Sequence, residues 1–423
     1  MLDSKLLKEN INEIQVMLRK RNVEFSLEEL VDLDKHRRKL IVELQKFKHK
    51  KNKLAKIIAT KKRNKETINY ELSSMIEIGD HIKKYEKEML SNRSEFMGLM
   101  MKLPNLLHDS VPSGTSEAEN IMIRKYGEID KIKFPPKDHV DIGTNLDLIE
   151  LERAAKISGA RFYFLKNELV RLNLALINFA FDHLSNKGYN LLQTPYMIRK
   201  EAMEGAVILE DFNNVIYKIK DEDLYMVGTS EHAMASMHMN EILEGRQLPI
   251  RYAGFSPCFR REAGAHGKDM KGIFRVHHFD KVEQFVYSRP EDSWKEHERM
   301  LEISEEFYQK LGIPYRVMLL CSSDTGIISS KTYDIEAWLP AQKKFREIVS
   351  CSNCTDYQAR RLKIRYRDKT NENTKLVHTL NSTLVAIQRT LVAIMENYQT
   401  RNGIEIPDAL QNYIGGIKEI RGK

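Results

Sequence analysis

Two long stretches near the N-terminus repeat apolar residues at the seven-residue spacing of helices that pack against a partner helix. The first repeat is formed by Leu30, Leu33, Leu40, Leu44, Phe47, Leu54 and Ile58, and the second by Leu72, Met75, Ile82, Met89, Phe96, Met100 and Leu103. Arg37 and Lys51 are exceptions within the first repeat. The polar stretch 61–67 between the repeats is so short that it joins only antiparallel neighbours. We therefore predict a helical hairpin, a coiled-coil arm with helices about 45 Å long.

Beyond residue 110 the pattern changes from helix alone to helices mixed with strands. Pro104, Pro112 and the Ser-Gly-Thr-Ser stretch 113–116 mark the boundary, because proline and glycine interrupt regular structure. Amphipathic helix patterns lie around 167–186, 229–243, 292–311 and 384–400, with β-like runs and hairpin-like turns between them. The prediction is an α+β protein, in which 1–110 form the helical hairpin and 111–423 a mainly antiparallel sheet flanked by helices.

The composition favours a cytoplasmic protein with a sizeable core. Of the 423 residues, 42% are hydrophobic and 30% charged. No apolar run approaches the roughly 20 residues that a membrane-spanning helix needs. The first residues mix acids with bases and lack the apolar segment of a secretory signal. Four cysteines are too few for a disulfide scaffold in a chain of this length, which agrees with a reducing compartment.

Positive charge is concentrated in the first helix of the predicted hairpin. The net charge of the chain is +8, and within residues 35–65 a dense series of Lys and Arg faces the single acid Glu43. A charge run on a coiled coil is commonly just a solvated face. A dense, unbalanced run on a projecting element also suits contact with the phosphates of a nucleic acid. Charge alone leaves both interpretations open.

The segment 252–287 combines several chemically useful side chains. Its pattern predicts a strand, a glycine-containing loop and a long returning strand. The two-residue alternation of strands places Arg260 and Glu262 on one face of the first strand. The same alternation places Arg275, Phe279 and Glu283 on one face of the second. Such a face is either a solvent-exposed, salt-bridged sheet or a site where arginine binds phosphate and carboxylate oxygens, a ring stacks on a purine and a carboxylate binds an amine.

This segment resembles a known family motif. FRRE, the glycine-containing loop and FRVHHFDKVEQF are similar to motif 2 of the class II aminoacyl-tRNA synthetases, in the form found in seryl-tRNA synthetases. LLQTPYM, with Pro195, resembles motif 1, the dimer-interface element, and HTLNSTLVAIQR resembles motif 3, a strand leading into a helix. TSEHA at 229–233 and FREIVSCSNCTDYQARR at 345–361 are similar to two further stretches of the seryl enzymes, which also carry an N-terminal antiparallel helical arm. The resemblance covers essentially the whole chain.

The resemblance implies an ATP site with two catalytic arginines, Arg260 and Arg389. Arg260 would bridge the α-phosphate and the serine carboxylate, Arg275 would contact the ATP phosphates, and Arg389 would bind the γ-phosphate. Glu262 would hold the adenine amino group, and Phe279 would stack on adenine with Arg389 on the other side of the base. The positions implied for ATP are Arg260, Glu262, Arg275, Val276, Phe279, Glu347, Ser350 and Arg389.

Glu347 and Ser350 match the magnesium contacts of the family. A carboxylate and a hydroxyl suit a hard cation that keeps several waters. Alternatively, Glu347 is a cross-strand partner of Arg or Lys. Cys351 and Cys354 have the CxxC spacing of zinc ligands, but no second pair completes four ligands, and the resemblance is to the common zinc-free form. We therefore expect magnesium and no zinc.

The resemblance also implies a serine pocket. The implied positions are Thr229, Glu231, Arg260, Glu283, Asn381 and Thr383. Glu283 with Thr383 would bind both the hydroxyl and the amine of serine, and such a pocket rejects an analogue that lacks the hydroxyl because its own polar groups would be left unpaired. Thr229 and Ser230 can also be N-caps of the following helix, which does not prevent Glu231 from facing the pocket.

The implied activity is ATP-dependent formation of seryl-adenylate and transfer of serine to the terminal adenosine of tRNA(Ser), and of tRNA(Sec) where it is present. Motif 1 would form a homodimer. The arm would bind tRNA, and its implied contacts are Lys48, Lys51, Lys61, Lys62 and Arg63.

Three features of the sequence bear on this expectation. An amino acid:carrier-protein ligase is one alternative, although such homologues lack the long arm. A catalytically inactive RNA-binding paralogue is another, although Arg260, Glu283, Glu347 and Arg389 are all present. Motif 3 departs from the family pattern because 384–388 contain no glycine, so the sequence does not predict the local backbone there.

Overall fold

The computed structural model of the protein describes residues 1–129, 132–208, 215–262 and 271–422. Contacts divide the chain into two compact units, Met1–Pro104 and Asn105–Lys423. The sequence predicts the boundary after residue 110, whereas 105–110 belong with the second unit. There the Asn105 amide N–H donates to the Ile327 carbonyl oxygen at 2.9 Å. Among the described helices, none combines the length and the apolar character needed to cross a membrane.

The first unit is built from helices. They are α1 (Leu6–Glu9), α2 (Ile11–Lys20), α3 (Leu27–Arg63) and α4 (Asn69–Lys102). Helices α3 and α4 pack together, with Leu30, Leu40, Ile82, Phe96 and Met100 among their buried residues. Arg37, an exception in the apolar repeat, is accommodated because its guanidinium lies 5.0 Å from the centre of the Phe96 ring and 2.6 Å from an Asp34 carboxylate oxygen. The predicted hairpin and its short link are confirmed.

The second unit mixes helices and strands. The helices are α5 (His139–Asn145), α6 (Glu152–Ser158), α7 (Glu168–Ser185), α8 (Lys200–Ala206), α9 (Ser230–Ser236), α10 (Ser293–Lys310), α11 (Tyr357–Leu362), α12 (Ile387–Asn397) and α13 (Asp408–Gln411). The strands are β1 (Ile121–Tyr126), β2 (Ile149–Glu150), β3 (Phe164–Leu165), β4 (Asn190–Gln193), β5 (Met197–Ile198), β6 (Tyr225–Met226), β7 (Ile242–Glu244), β8 (Ile250–Phe259), β9 (His278–Ser288), β10 (Tyr315–Leu319), β11 (Lys331–Leu339), β12 (Lys344–Asn353), β13 (Arg365–Arg367), β14 (Lys375–Leu376), β15 (His378–Ala386), β16 (Gly403–Glu405) and β17 (Glu419–Arg421).

An eight-stranded sheet forms the centre of the second unit. Its strand order is β1-β10-β11-β12-β15-β9-β8-β4. Neighbouring strands run antiparallel except β4 and β8, which run parallel. Leu172 and Leu176 of α7, Phe307 of α10 and Leu391 of α12 bury their side chains in a core shared with Val282 of β9. The predicted α+β class with a mainly antiparallel sheet is confirmed.

One predicted helix is much shorter than its pattern indicates. The pattern at 229–243 predicts a single helix, whereas α9 ends at Ser236 and β7 begins at Ile242. Asn240 lies between them with a left-handed backbone, at a φ of 65°, and its amide N–H donates to the Leu362 carbonyl oxygen at 2.8 Å. This conformation ends the helical path and lets β7 pair in parallel with β13.

Candidate active site

The site lies where β8 ends and β9 begins. β8 ends at Phe259, so Arg260 and Glu262 follow the strand, and Glu262 has a positive φ of 49°. Arg275 likewise precedes β9. The strand faces predicted for these three residues are therefore wrong, because no strand alternation extends to them. All three still line one cavity, in which Arg275 Nη1 lies 3.3 Å from Glu262 Oε2. The predicted loop falls partly on 263–270, which lie outside the described residues.

The alternation does hold within β9. Phe279, Lys281 and Glu283 occupy alternate positions of this strand, and Lys281 forms an ion pair with Glu283 although both side chains are buried. The Arg260 guanidinium lies 5.3 Å from the centre of the Phe279 ring, and its Nε donates to the Gly228 carbonyl oxygen at 3.2 Å. Lys281 was not predicted as a site residue. The two-residue alternation of the strand nevertheless places it on the same face as Phe279 and Glu283, and this signal could have identified it.

A single cavity collects the positions predicted for ATP, with Ser350 as the exception. Its lining consists of Arg260, Glu262, Phe274, Arg275, Val276, Phe279, Lys281, Glu347, Ile348, Thr383, Ala386, Gln388 and Arg389. Three arginines and one lysine thus line a space together with the rings of Phe274 and Phe279. The cations suit a polyphosphate, and an aromatic ring suits a purine.

Arg389 lies in the first turn of α12, directly after β15, so motif 3 is the predicted strand leading into a helix. Its Nη1 donates to the Glu347 carbonyl oxygen at 3.0 Å and lies 3.2 Å from Glu347 Oε2. This ion pair lowers the pKa of Glu347. The Arg389 guanidinium lies 5.1 Å from the centre of the Phe274 ring. Phe274 was not predicted, because its position before Arg275 gave no sign of this contact.

In motif 3, where the family pattern has glycines, the chain has a β-bulge followed by the buried amide of Gln388. The pairing of β15 with β9 shifts register between Thr383 and Val385. At the end of the motif, the Gln388 side chain accepts the Asp280 amide N–H at 2.7 Å and donates to Asn173 Oδ1 at 3.1 Å. Gln388 thereby ties the start of α12 to β9 and α7.

A β-bulge brings Glu347 and Ser350 to one face of β12. Ser350 pairs with Asp334 and Glu347 with Glu336 across β11, so the pairing passes over Ile348. Positions 334 and 336 share a face of β11. Their partners Ser350 and Glu347 therefore share a face of β12, although they are three residues apart in sequence. The bulge could not be predicted from a single strand's sequence.

Asp334 lies beside this pair and was also not predicted. It forms a hydrogen bond with the Ser350 side chain, and burial together with the Glu347 charge raises its pKa. Its Oδ1 is buried without a hydrogen-bond partner among the described residues. An unpartnered buried oxygen next to a carboxylate and a hydroxyl fits a hard cation such as Mg²⁺.

The described residues contain no group of three or more His, Cys, Asp and Glu side chains arranged to hold a metal. Cys351 and Cys354 are buried free thiols. The Cys351 thiol lies 3.8 Å from the His297 carbonyl oxygen, whereas the Cys354 thiol lies 3.7 Å from Asn381 Nδ2. The expectation that zinc is absent stays a prediction.

The positions predicted for serine converge around two glutamates. Thr229 caps α9 by accepting the Glu231 amide N–H at 3.2 Å, and its hydroxyl donates to Glu283 Oε2 at 2.6 Å. Asn381 Nδ2 donates to Glu231 Oε1 at 3.1 Å. Thr383 lies directly opposite Glu283 in the pairing of β15 with β9. Thr229 therefore caps the helix and also contacts the predicted serine pocket.

The two glutamates also interact electrostatically. Burial and the nearby Glu283 charge raise the pKa of Glu231 to about 7, against the influence of Lys281 and Arg260. The adjacent His232 is buried near the same cations, and burial lowers its pKa to about 3. At neutral pH the pocket therefore holds a neutral imidazole beside a carboxyl group that titrates near physiological pH.

The predicted tRNA contacts lie on α3 of the first unit. Lys48 Nζ lies 2.9 Å from Glu86 Oε1 and Lys61 Nζ lies 2.6 Å from Glu71 Oε1. Lys51, Lys62 and Arg63 are exposed, and within the described ranges they form no ion pair. Three of the five cations are thus available to an anionic partner.

The sheet and the cavity are those of a class II aminoacyl-tRNA synthetase. The family model of the class II tRNA synthetase core domain (G, H, P, S and T) matches residues 217–398, and that of the seryl-tRNA synthetase N-terminal domain matches residues 1–107. The chain belongs to the seryl-tRNA synthetase family.

Whole-length relatives agree with this assignment. The serine–tRNA ligase of Nitrosopumilus maritimus is 59% identical over 421 residues, which are 99% of this chain and 100% of that protein. The crystal structure of seryl-tRNA synthetase from Pyrococcus horikoshii complexed with ATP is 45% identical, with a TM-score of 0.94 over 100% of both chains. That of the cytoplasmic serine–tRNA ligase from Naegleria fowleri in complex with AMP is 37% identical, with a TM-score of 0.89 over 100% of this chain and 99% of that one.

Proposed function

We propose that this chain activates L-serine with ATP to seryl-adenylate, releasing pyrophosphate, and transfers serine to the 3′-terminal adenosine of tRNA(Ser). One observation supports this most directly. A cavity lined by Arg260, Arg275 and Arg389 adjoins a pocket that contains the carboxylates of Glu231 and Glu283. The first set suits a triphosphate and the second suits a small ligand with an ammonium and a hydroxyl group. The ATP and AMP complexes of the relatives support the same assignment.

The reaction requires no protein nucleophile. A serine carboxylate oxygen attacks the α-phosphorus in line, the P–O bond to the β-phosphate breaks, and pyrophosphate leaves with the bonding electrons. Arg260 would hold the carboxylate and the α-phosphate together, while Arg275 and Arg389 neutralise charge on the phosphates. Alignment and charge neutralisation therefore supply most of the rate enhancement. Phe279 would stack on adenine, and Glu262 would accept from its amino group.

Glu347 and Ser350 would hold Mg²⁺, with Asp334 orienting the Ser350 hydroxyl. This set supplies few protein ligands, so phosphate oxygens and waters would complete the coordination, as Mg²⁺ prefers. Bound there, Mg²⁺ would add charge neutralisation on the triphosphate. The ion pair with Arg389 keeps Glu347 ionised in the absence of that charge.

We further propose that the chain is a homodimer formed through motif 1. β4 lies at the edge of the eight-stranded sheet, and Leu191 and Met197 are each 46% exposed. A neighbouring groove is lined largely by apolar residues, among them Pro195, Met197 and Met237. An exposed edge strand beside an apolar groove is a surface that a second copy would cover.

The arm would bind the backbone of tRNA(Ser), and of tRNA(Sec) where it occurs, in the cytoplasm. A shortened arm tests this role. Lys48 and Glu86 pair across α3 and α4, so deletion of 49–85 with a short Gly-Ser loop keeps the remaining helices in register. We expect serine-dependent pyrophosphate exchange to stay near the wild-type rate, while tRNA charging falls by orders of magnitude through KM. Unchanged charging would assign the arm another role.

Pyrophosphate exchange with each of the twenty amino acids tests the activity itself. We expect exchange with serine and, at a far lower rate, with close analogues. Exchange that is absent with serine, or faster with another amino acid, would refute the proposed substrate. An inactive RNA-binding paralogue would show no exchange yet would still bind tRNA.

A further inference from the structure

Gln358 is a fully buried residue of α11 to which neither the ATP site nor the predicted serine positions give a role. Its Nε2 donates to Glu231 Oε1 at 3.2 Å and to the Ala206 carbonyl oxygen at 2.9 Å. Its Oε1 accepts the Thr379 hydroxyl at 2.7 Å. Both ends of the Gln358 amide therefore have hydrogen-bond partners, and one of these partners is Glu231.

The amide orientation follows from the partners. A carbonyl oxygen only accepts hydrogen bonds, so the nitrogen of the Gln358 side chain must face Ala206. The same nitrogen carries the second hydrogen that points to Glu231. Thr379 then supplies the donor for the opposite end of the amide. A flipped amide would place two oxygens against each other at Ala206 and at Glu231, which is unfavourable.

We propose that Gln358 is a positioning residue for the amino-acid pocket, which acts through Glu231 by binding one carboxylate oxygen and leaving the other for the substrate ammonium. This inference rests on the proposed function, because it takes serine as the ligand of Glu231. It places the serine ammonium on Glu231 and not on Glu283, because Glu283 is already ion-paired with Lys281 and accepts the Thr229 hydroxyl. Asn381 is the second amide donor to the same Oε1. Two N–H donors on one oxygen stabilise the ionised carboxylate and fix its rotamer, while Oε2 accepts no hydrogen bond from the residues that the structure describes and is left for the substrate.

The charged surroundings explain why Glu231 needs such donors. Glu283 of β9 disfavours ionisation of Glu231, as does burial, whereas Lys281 of β9 and Arg260 after β8 favour it. The Cys354 thiol after β12 is also close, and burial with the Glu231 charge raises its pKa, so it stays neutral. The amide donors thus act on a group that is closely balanced between its two forms.

The test compares Gln358→Met with Gln399→Met. Gln399 is a matched control, because its buried amide donates to the Lys137 and Glu396 carbonyl oxygens and, among the described residues, forms no hydrogen bond to the pocket. The measurement is pyrophosphate exchange at saturating ATP, with kcat/KM for serine determined from pH 6 to 9. For Gln358→Met we expect the acid limb to move alkaline by about one pH unit, which is the size of one hydrogen bond to an ionised group. The KM for ATP should stay unchanged, and the control should match the wild type.

The Glu231→Gln variant distinguishes an error in the role of Gln358 from an error in the proposed function. Gln358→Met added to Glu231→Gln should change nothing further if Gln358 acts only through Glu231. An unmoved acid limb in Gln358→Met, or an additive loss in the double variant, would overturn the positioning role. If Glu231→Gln alone leaves the KM for serine unchanged, the serine pocket itself is wrongly assigned. If Gln358→Met fails to fold, Thr379→Val loosens the same amide and should shift the limb in the same direction, and no shift would again overturn the role.

Discussion

Lowering the pH from 8 to 6 should weaken serine binding by about tenfold through protonation of Glu231. Burial and the Glu283 charge raise the pKa of this carboxyl to about 7. The ammonium of serine binds the ionised form of Glu231. The affinity for serine is therefore highest above this pKa and falls as the pH drops through it. Roughly nine-tenths of the carboxyl is ionised at pH 8 and one-tenth at pH 6, which is the tenfold ratio. His232 does not contribute, because burial lowers its pKa to about 3.

The assay is pyrophosphate exchange at saturating ATP and Mg²⁺, with the KM for serine determined at each pH. We expect KM to rise about tenfold between pH 8 and pH 6, while kcat changes far less because saturating serine restores the ionised form. Glu231→Gln should have a high KM that is flat over the same range. A wild-type KM that stays constant, or a pH dependence that persists in Glu231→Gln, would refute the assignment of the ammonium to Glu231.

Three substitutions and one elemental analysis test the remaining assignments. Arg260→Lys removes a bidentate contact and should lower the exchange rate roughly 100-fold or more, and a near-wild-type rate would remove Arg260 from the reacting centre. Thr383→Val should reduce discrimination between serine and alanine more than it raises the KM for ATP, whereas unchanged selectivity would exclude Thr383 from hydroxyl recognition. Glu347→Gln should raise the Mg²⁺ concentration needed for half-maximal exchange severalfold, and an unchanged requirement would place the metal elsewhere. Elemental analysis should find no zinc. Stoichiometric zinc would instead indicate that Cys351 and Cys354 are ligands.

The sequence predicts well those features that depend on local periodicity. The seven-residue repeat of α3 and α4 determines which faces are apolar, and the polar stretch between them forces an antiparallel return. Phe279 and Glu283 share a face because both lie inside β9, where the two-residue alternation is intact. Residue chemistry together with family resemblance also identified the arginines that line the cavity, because these side chains match phosphate wherever the fold brings them together.

The tertiary structure decided features that depend on how distant segments meet. Glu347 and Ser350 share a face only because β12 bulges at Ile348 against β11, and pairing partners cannot be deduced from one strand. Glu262 approaches Arg275, and Arg260 lines the same cavity, through backbone that is no longer strand and therefore has no side-chain alternation.

The same division holds for the pocket around Glu231. The sequence by itself determined that TSEHA carries a capping threonine and a carboxylate, because capping is a local property of a helix start. Only the fold decided what that carboxylate meets. Gln358 and Asn381 reach Glu231 from α11 and β15, more than one hundred residues further along the chain. Ala206 fixes the Gln358 amide from α8. Hydrogen bonds between segments so far apart in sequence leave no periodic signal, because their partners are selected by packing and not by spacing.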